Sequence, residues 1–170
     1  MNGELDIVAI CALLVSVISI ILGFFGLYFQ RQHNVLSVRP IGNIGLFQSP
    51  DTFAISIVNN GTGPMMIKSV KTVNMDGSKK DYPVEWIPLG DRQYFWGNLE
   101  GTAINNGTKV DILVFKFDIS KPNQIRKREE IRSILKNLTI QIKYDDMYQN
   151  NRPDIIKSLD YFGEEIGVKK

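Results

Sequence analysis

The sequence predicts a mainly β chain: an immunoglobulin-like sandwich with one crossover helix, preceded by a single transmembrane α-helix. Three observations predict it. Residues Ile7–Phe29 form an uncharged apolar run. Past Arg31 the hydrophobic pattern alternates with period two between clusters of Asn, Gly and Pro. One later stretch alone, ending at Leu138, spaces its apolar residues as a helix does. A length of 170 residues suits one domain with one appendage. With 44% hydrophobic and 22% charged residues, bulk disorder is excluded. A single cysteine, Cys11, and a single histidine, His33, exclude an internal disulfide framework, a Cys-based zinc cluster and any chemistry that needs a His pair.

The apolar run, IVAICALLVSVISIILGFFGLYF, has 23 residues. As a helix it is about 34 Å long, against a hydrocarbon core of about 30 Å. Burying it in a soluble domain would require a partner layer on every face. The start MNGELD lacks the basic region of a cleaved signal peptide, and no small-residue cleavage site follows, so the anchor is expected to be retained. Tyr28 suits the membrane interface. No Lys or Arg precedes the run, whereas Arg31 and Arg39 follow it. The expected organisation is an N-terminal tail and transmembrane helix over 1–30 and a β-rich domain over 31–170. That domain would lie on the cytoplasmic side of the inner (plasma) membrane.

Small residues lie on one seam of this helix. Ala9, Ala12, Ser16, Ser19, Gly23 and Gly26 follow spacings of 3, 4, 3, 4 and 3. In lipid, apolar burial does not drive helices together; close backbone approach does, and small residues permit it. The seam predicts self-association or docking on another membrane helix with left-handed crossing, hence a homo-oligomer in the bilayer. It does not predict a pore, since no ionisable residue lies inside the run.

In the domain, Val35–Arg39 is expected as a first strand ended by Pro40. Phe53–Val58 alternates, with Phe53, Ile55 and Ile57 on one face, and ends in the turn formers NNGTGP. Met66–Val73 follows, then Met75-Asp76-Gly77-Ser78 as a hairpin turn. Tyr82–Leu99 is aromatic and irregular. Asn105-Asn106-Gly107-Thr108 marks a turn before Val110–Phe117. There Val110, Ile112, Val114 and Lys116 are expected to face one way, and Asp111, Leu113, Phe115 and Phe117 the other. A helix follows, with Ser120 as N-cap, Pro122 in its first turn and Ile131, Ile134, Leu135 and Leu138 on one face. Leu138–Tyr144 is a strand, and Ile155–Phe162 a terminal strand or short helix. Seven or so short strands favour a sandwich.

The residues Ile57, Asn59, Gly61, Gly63 and Pro64 spell a strand ending in N-x-G-x-G-P, and Asp76-Gly77 follow the next, lysine-bearing strand. With the ending Ile142-Lys143-Tyr144-Asp145 before Met147-Tyr148, nearly the whole chain resembles a recurrent bacterial type. That type is a small immunoglobulin-like domain tethered by one N-terminal membrane helix. The resemblance implies a fold and an anchor, not a reaction. The type often carries a small residue after the Pro, where this chain has Met65-Met66.

Several constellations bear on chemistry. Asn60–Pro64 with Lys68-Ser69 is glycine-rich, but a phosphate loop needs its Lys at a helix start, and here it falls in a strand. Glu129-Glu130, Asp145-Asp146 and Glu164-Glu165 are sequence neighbours whose side chains diverge, so none is an acid–base couple. Asp145-Asp146 reads as a solvated loop, without the alternating oxygen ligands of a calcium site. His33 reads as an interfacial polar residue and Cys11 as a small apolar group in the span. The basic residues Arg126, Lys127, Arg128, Arg132 and Lys136 are a possible contact for anionic lipid or a phosphate-bearing ligand, or a solvated helix face with Glu–Arg pairs. Trp86, Tyr94, Phe95 and Trp96 are either a partner surface or a cap on the end of the core. Residues 31–170 hold all 20 basic and 16 of the 18 acidic residues, a net charge of +4 without a basic stripe for duplex nucleic acid.

The expectation is a non-enzymatic, membrane-anchored interaction module with no metal or cofactor. It self-associates through its helix and presents the domain to a protein or anionic ligand. The rival is a membrane effector of bacterial antiphage defence, triggered by a nucleotide signal on the β domain. A hydrolase using Asp145 or Asp146 has no identifiable base partner.

Overall fold

The computed structural model describes residues 2–164, with side chains from Ile7 onward. The chain divides into two compact units, one ending at Ser37 and the other beginning at Val38. Helix α1 runs from Asn2 to Ser37. It is long and apolar enough to cross a membrane, and no residue of its apolar window is buried. The expected strand at Val35–Arg39 does not form: α1 continues through Ser37. Once nucleated, a helix adds one hydrogen bond per residue, so the polar stretch after Phe29 propagates it cheaply. Pro40 disfavours helical geometry at Arg39 and stops it.

The described residues of the second unit form nine strands: β1 Gly42–Gln48, β2 Thr52–Asn59, β3 Met65–Asn74, β4 Lys79–Lys80, β5 Tyr94–Phe95, β6 Ala103–Ile104, β7 Lys109–Lys116, β8 Leu138–Asp145 and β9 Ile155–Ser158. Helix α2, Pro122–Leu135, lies between β7 and β8. All pairings are antiparallel. One sheet has the order β1-β2-β7-β5; the other has β4-β3-β8-β9, with β6 also on β3. With β6 set aside, the strands in chain order read A-B-E-D and C′-C-F-G, the immunoglobulin arrangement. Helix α2 is the crossover from the first sheet to the second.

The core follows from alternation broken twice. On β2, Phe53, Ile55 and Ile57 are buried as the pattern predicts. On β7 the single alternation is wrong. The register with β2 slips, pairing Ile55 with Leu113 but Ser56 with Asp111, so Ile112 is a bulge. A bulge inverts which parity faces inward. Ile112 is therefore buried along with Leu113, Phe115 and Phe117. On β3 the extra residue is Lys68, between Ile67 and Ser69 in the register with β8. Met65 and Ile67 are buried before it, Val70 and Thr72 after it. Aromatic rings close one end of the core, with Phe53 at 5.3 Å from Phe117 and 5.4 Å from Phe162 between ring centres.

Turn chemistry places the ends. Gly77 and Gly107 sit at φ 84° and 66°, the left-handed region that glycine tolerates best, at the two turns the sequence marks. The N-cap of α2 is Lys121 rather than Ser120, whose hydroxyl instead bonds Asp118 at 2.5 Å. Pro122 is at the first helical turn, and Ile131 and Leu135 are buried, while Leu138 already belongs to β8. Ile155–Phe162 is a strand followed by a 3₁₀ turn at Asp160–Gly163.

Two poles result. β2 ends, β3 begins, β7 begins and β8 ends at one of them, where Met66 pairs with Asp145 and Val58 with Lys109. The chain enters the domain at that pole through Val38–Ile41. Helix α2 and the Met75–Ser78 hairpin are at the opposite pole.

Candidate functional site

The entry pole is organised by Asn59, a fully buried side chain at the end of β2. An amide offers two donors and one carbonyl oxygen with two lone pairs. All are used. Nδ2 donates to Gly63 O at 2.8 Å and Ile104 O at 2.9 Å. Oδ1 accepts from Gly61 N at 3.0 Å and Ile41 N at 3.3 Å. The entering segment is laced to the turn after β2 by Asn60 N to Ile41 O at 2.8 Å and Thr62 N to Arg39 O at 3.1 Å. The two glycines of the motif are there for proximity. A Cβ on Gly61 would lie 2.4 Å from Arg39 O, and one on Gly63 would lie 1.8 Å from Val38 O. The N-x-G-x-G-P motif is thus a socket for the segment that leaves α1, not a phosphate loop. Met65, the residue after the motif, is fully buried.

Asp145 and Asp146 are not the solvated pair expected. Both are buried. Asp145 pairs with Lys68 Nζ at 3.0 Å, which the β3 bulge brings to it. Asp146 accepts from the backbone N–H of Tyr148 and of Asn150, each at 2.9 Å, from Asn150 Nδ2 at 3.1 Å and from the Arg152 guanidinium. Burial pushes the Asp146 carboxyl up, but the bonds from Asn150, Arg152 and Tyr148 outweigh it and hold it below the ordinary carboxylate value. Both oxygens of Asp146 are taken up by these bonds, so this side chain organises the loop that follows β8.

The basic residues of α2 are dispersed. Arg128 is largely buried, stacks its guanidinium 4.9 Å from the Phe53 ring centre and pairs with Glu129. Arg132 binds Glu129 and donates to the carbonyls of Phe162 (2.6 Å), Gly163 (3.1 Å) and Glu164 (2.5 Å), tying the C-terminal turn over Phe162. Lys127 pairs with Asp91 at 2.7 Å. Arg126 pairs with Glu130 and is the most exposed of the ion-paired cations on α2. Lys136 is exposed just past the helix. Periodicity alone could not show this, because Phe53, Asp91 and residues 162–164 are distant in sequence. Glu165 lies outside the described residues.

The aromatic group separates in two. Trp86 is half-buried against the core beneath Lys80 Nζ, which is 4.5 Å from its ring centre. Tyr94, Phe95 and Trp96 are exposed, at 57%, 41% and 42%. Tyr94 and Phe95 pair with Val114 and Leu113 on the edge of the first sheet. Trp96 N bonds Ile112 O at 3.3 Å, and the Gln93 amide bonds Lys116 O and N at 2.9 and 2.7 Å. The three rings therefore stand on an anchored backbone.

On α1, Ala9, Ala12, Ser16, Ser19, Gly23 and Gly26 are all exposed. Ser16 and Ser19 donate to Ala12 O and Val15 O, each at 2.8 Å, so their hydroxyls are satisfied within the helix. Added methyl groups at Gly23 and Gly26 would meet nothing within 4 Å. Among the described residues no three His, Cys, Asp or Glu side chains converge as a metal site would require. No protein-family model matches the chain, and no curated protein matches it.

Proposed function

We propose that the chain is a membrane-anchored, non-enzymatic binding module. The observation that carries this reading is α1, apolar on all sides with none of its apolar window buried in the protein. A helix apolar all round is at rest only in lipid or in a large core. The module sits in the inner membrane with its β domain on the cytoplasmic side, in line with Arg31 and Arg39 following the span and no Lys or Arg preceding it. It self-associates along Ala9, Ala12, Ser16, Ser19, Gly23 and Gly26, where helix backbones can approach. The exposed edge Tyr94–Trp96 offers rigid aromatics to a protein partner, the residue type that dominates interface hot spots. Support for a nucleotide-triggered effector came from the basic helix, and Lys127, Arg128 and Arg132 are committed to internal contacts.

The test is crosslinking of the full chain in carbonate-washed membranes. Dimers or larger species are expected. Ser16→Leu, Ser19→Leu and Gly23→Leu together should abolish them while the chain stays in the membrane fraction. Unchanged oligomers would remove the seam, and recovery of the protein in the wash would remove the anchor.

A further inference from the structure

The loop after β8 has a feature that its hydrogen bonds do not explain. Met147 and Tyr148 are 51% and 47% exposed at its tip, side by side. Around them the loop is built stiffly. Asp146 gathers four hydrogen bonds from within it, Arg152 N closes on Tyr144 O at 3.2 Å, and Asp145 bridges to Asn151. Gln149 holds φ 61°, a left-handed conformation that side chains rarely adopt. The loop is thus tied at several points, and it leaves Met147 and Tyr148 exposed at its tip.

Its location names the occupant. The loop is at the entry pole, since Asp145 pairs with Met66 next to the turn that holds Arg39 and Ile41. Eight residues, Gln30–Ser37, separate the last apolar residue of the span from that socket. As helix they rise about 12 Å, and the headgroup layer takes up about half of that. Arg39 is exposed at the same pole and suits phosphate headgroups. A tyrosine ring with an apolar body and polar tip favours that layer, and a flexible thioether packs into it readily. We propose that Met147 and Tyr148 form a second contact with the lipid interface, on the bilayer that α1 enters. The contact rests on the anchor reading above.

The test uses the full chain in vesicles of mixed phosphatidylcholine and phosphatidylglycerol. A nitroxide is attached at Met147→Cys in a Cys11→Ala background, and in a second protein at Met75→Cys. Met75 is the matched control, a methionine 83% exposed at the opposite pole. Flotation first establishes that the chain is in the vesicles. Collision of the position-147 label with a water-soluble paramagnetic nickel chelate should then fall several-fold below that of the position-75 label, and collision with oxygen should rise. Tyr148→Ser should move the position-147 label back toward the control. Equal accessibility at both positions overturns the lipid contact and leaves the anchor standing. Spin–spin broadening at position 147 that vanishes on dilution with unlabelled chain assigns the loop to a second copy instead. Failure to float overturns both readings.

Discussion

Asn59→Ala is expected to destabilise the β domain by about 3–5 kcal/mol, the range in which single replacements identify a broken buried network. The residue is fully buried and its amide serves four backbone groups, at Ile41, Gly61, Gly63 and Ile104. Alanine leaves two N–H groups and two carbonyls without their partner, three of them on the buried residues Gly61, Gly63 and Ile104. Domains of this size are commonly stable by about 5–15 kcal/mol, so most of the margin would go. Asn59→Asp keeps the acceptor but sets a buried carboxylate against the Gly63 and Ile104 carbonyls, so it should cost at least as much. Gly63→Ala attacks the same socket from the other side, because its methyl would overlap Val38 O. It should expel the entering segment and leave the sheets paired. Amide hydrogen exchange separates the two effects. Gly63→Ala should speed exchange at Asn60 and Thr62, which bond Ile41 and Arg39, well before exchange in β2 and β7 rises. Asn59→Ala should speed both. Unchanged protection at Asn60 in either variant would contradict the socket.

Asp146→Ala should cost a comparable amount, about 3–5 kcal/mol, because it strands the Arg152 guanidinium in a largely buried position. Arg152→Met on the same background should recover part of that loss, since the uncompensated charge is then removed. Urea unfolding followed by near-ultraviolet dichroism measures both. The pH dependence has a definite sign. Asp146 is held below the ordinary value of 3.8, so its contribution is complete well above that value and disappears as pH falls through its folded pKa. Asp118, held to about 2 by hydrogen bonds from Ser120 and Lys121, acts in the same direction at the start of α2. Stability should therefore be level near neutrality and fall between about pH 4 and pH 2. Asp146→Asn should flatten the upper part of that fall. A variant that loses stability in acid as steeply as the parent would show that Asp146 is not the group responsible.

Helix α1 is described by composition, and its seam by spacing. The domain surfaces depend on what meets what. Arg128 and Arg132 look free on a helical projection, yet they are bound to Phe53, Glu129 and the carbonyls of 162–164. Asp145 and Asp146 look solvated, yet they are buried by Lys68 and by their own loop. The aromatic stretch looks uniform, yet Trp86 is packed against the core while Tyr94, Phe95 and Trp96 stand on an edge. Strand β1 went unrecognised because Gly42 and Gly45 interrupt its alternation and Phe47 faces solvent; its pairing with β2 makes it a strand.

The sequence by itself determined the apolar helix, the alternating strands around Phe53–Val58 and Leu138–Tyr144, the two glycine turns and the single crossover helix. Each of these is a local property, written in composition, period or the φ a residue can adopt. Only the tertiary structure decided where the Ile112 and Lys68 bulges reverse the faces, which cations and carboxylates are consumed internally, and that the N-x-G-x-G-P motif grips the segment at Val38–Ile41. The grip of Asn59 reaches Ile41 and Ile104, 18 and 45 residues away, and the bulges join strands farther apart still; no local period encodes a contact at such separations.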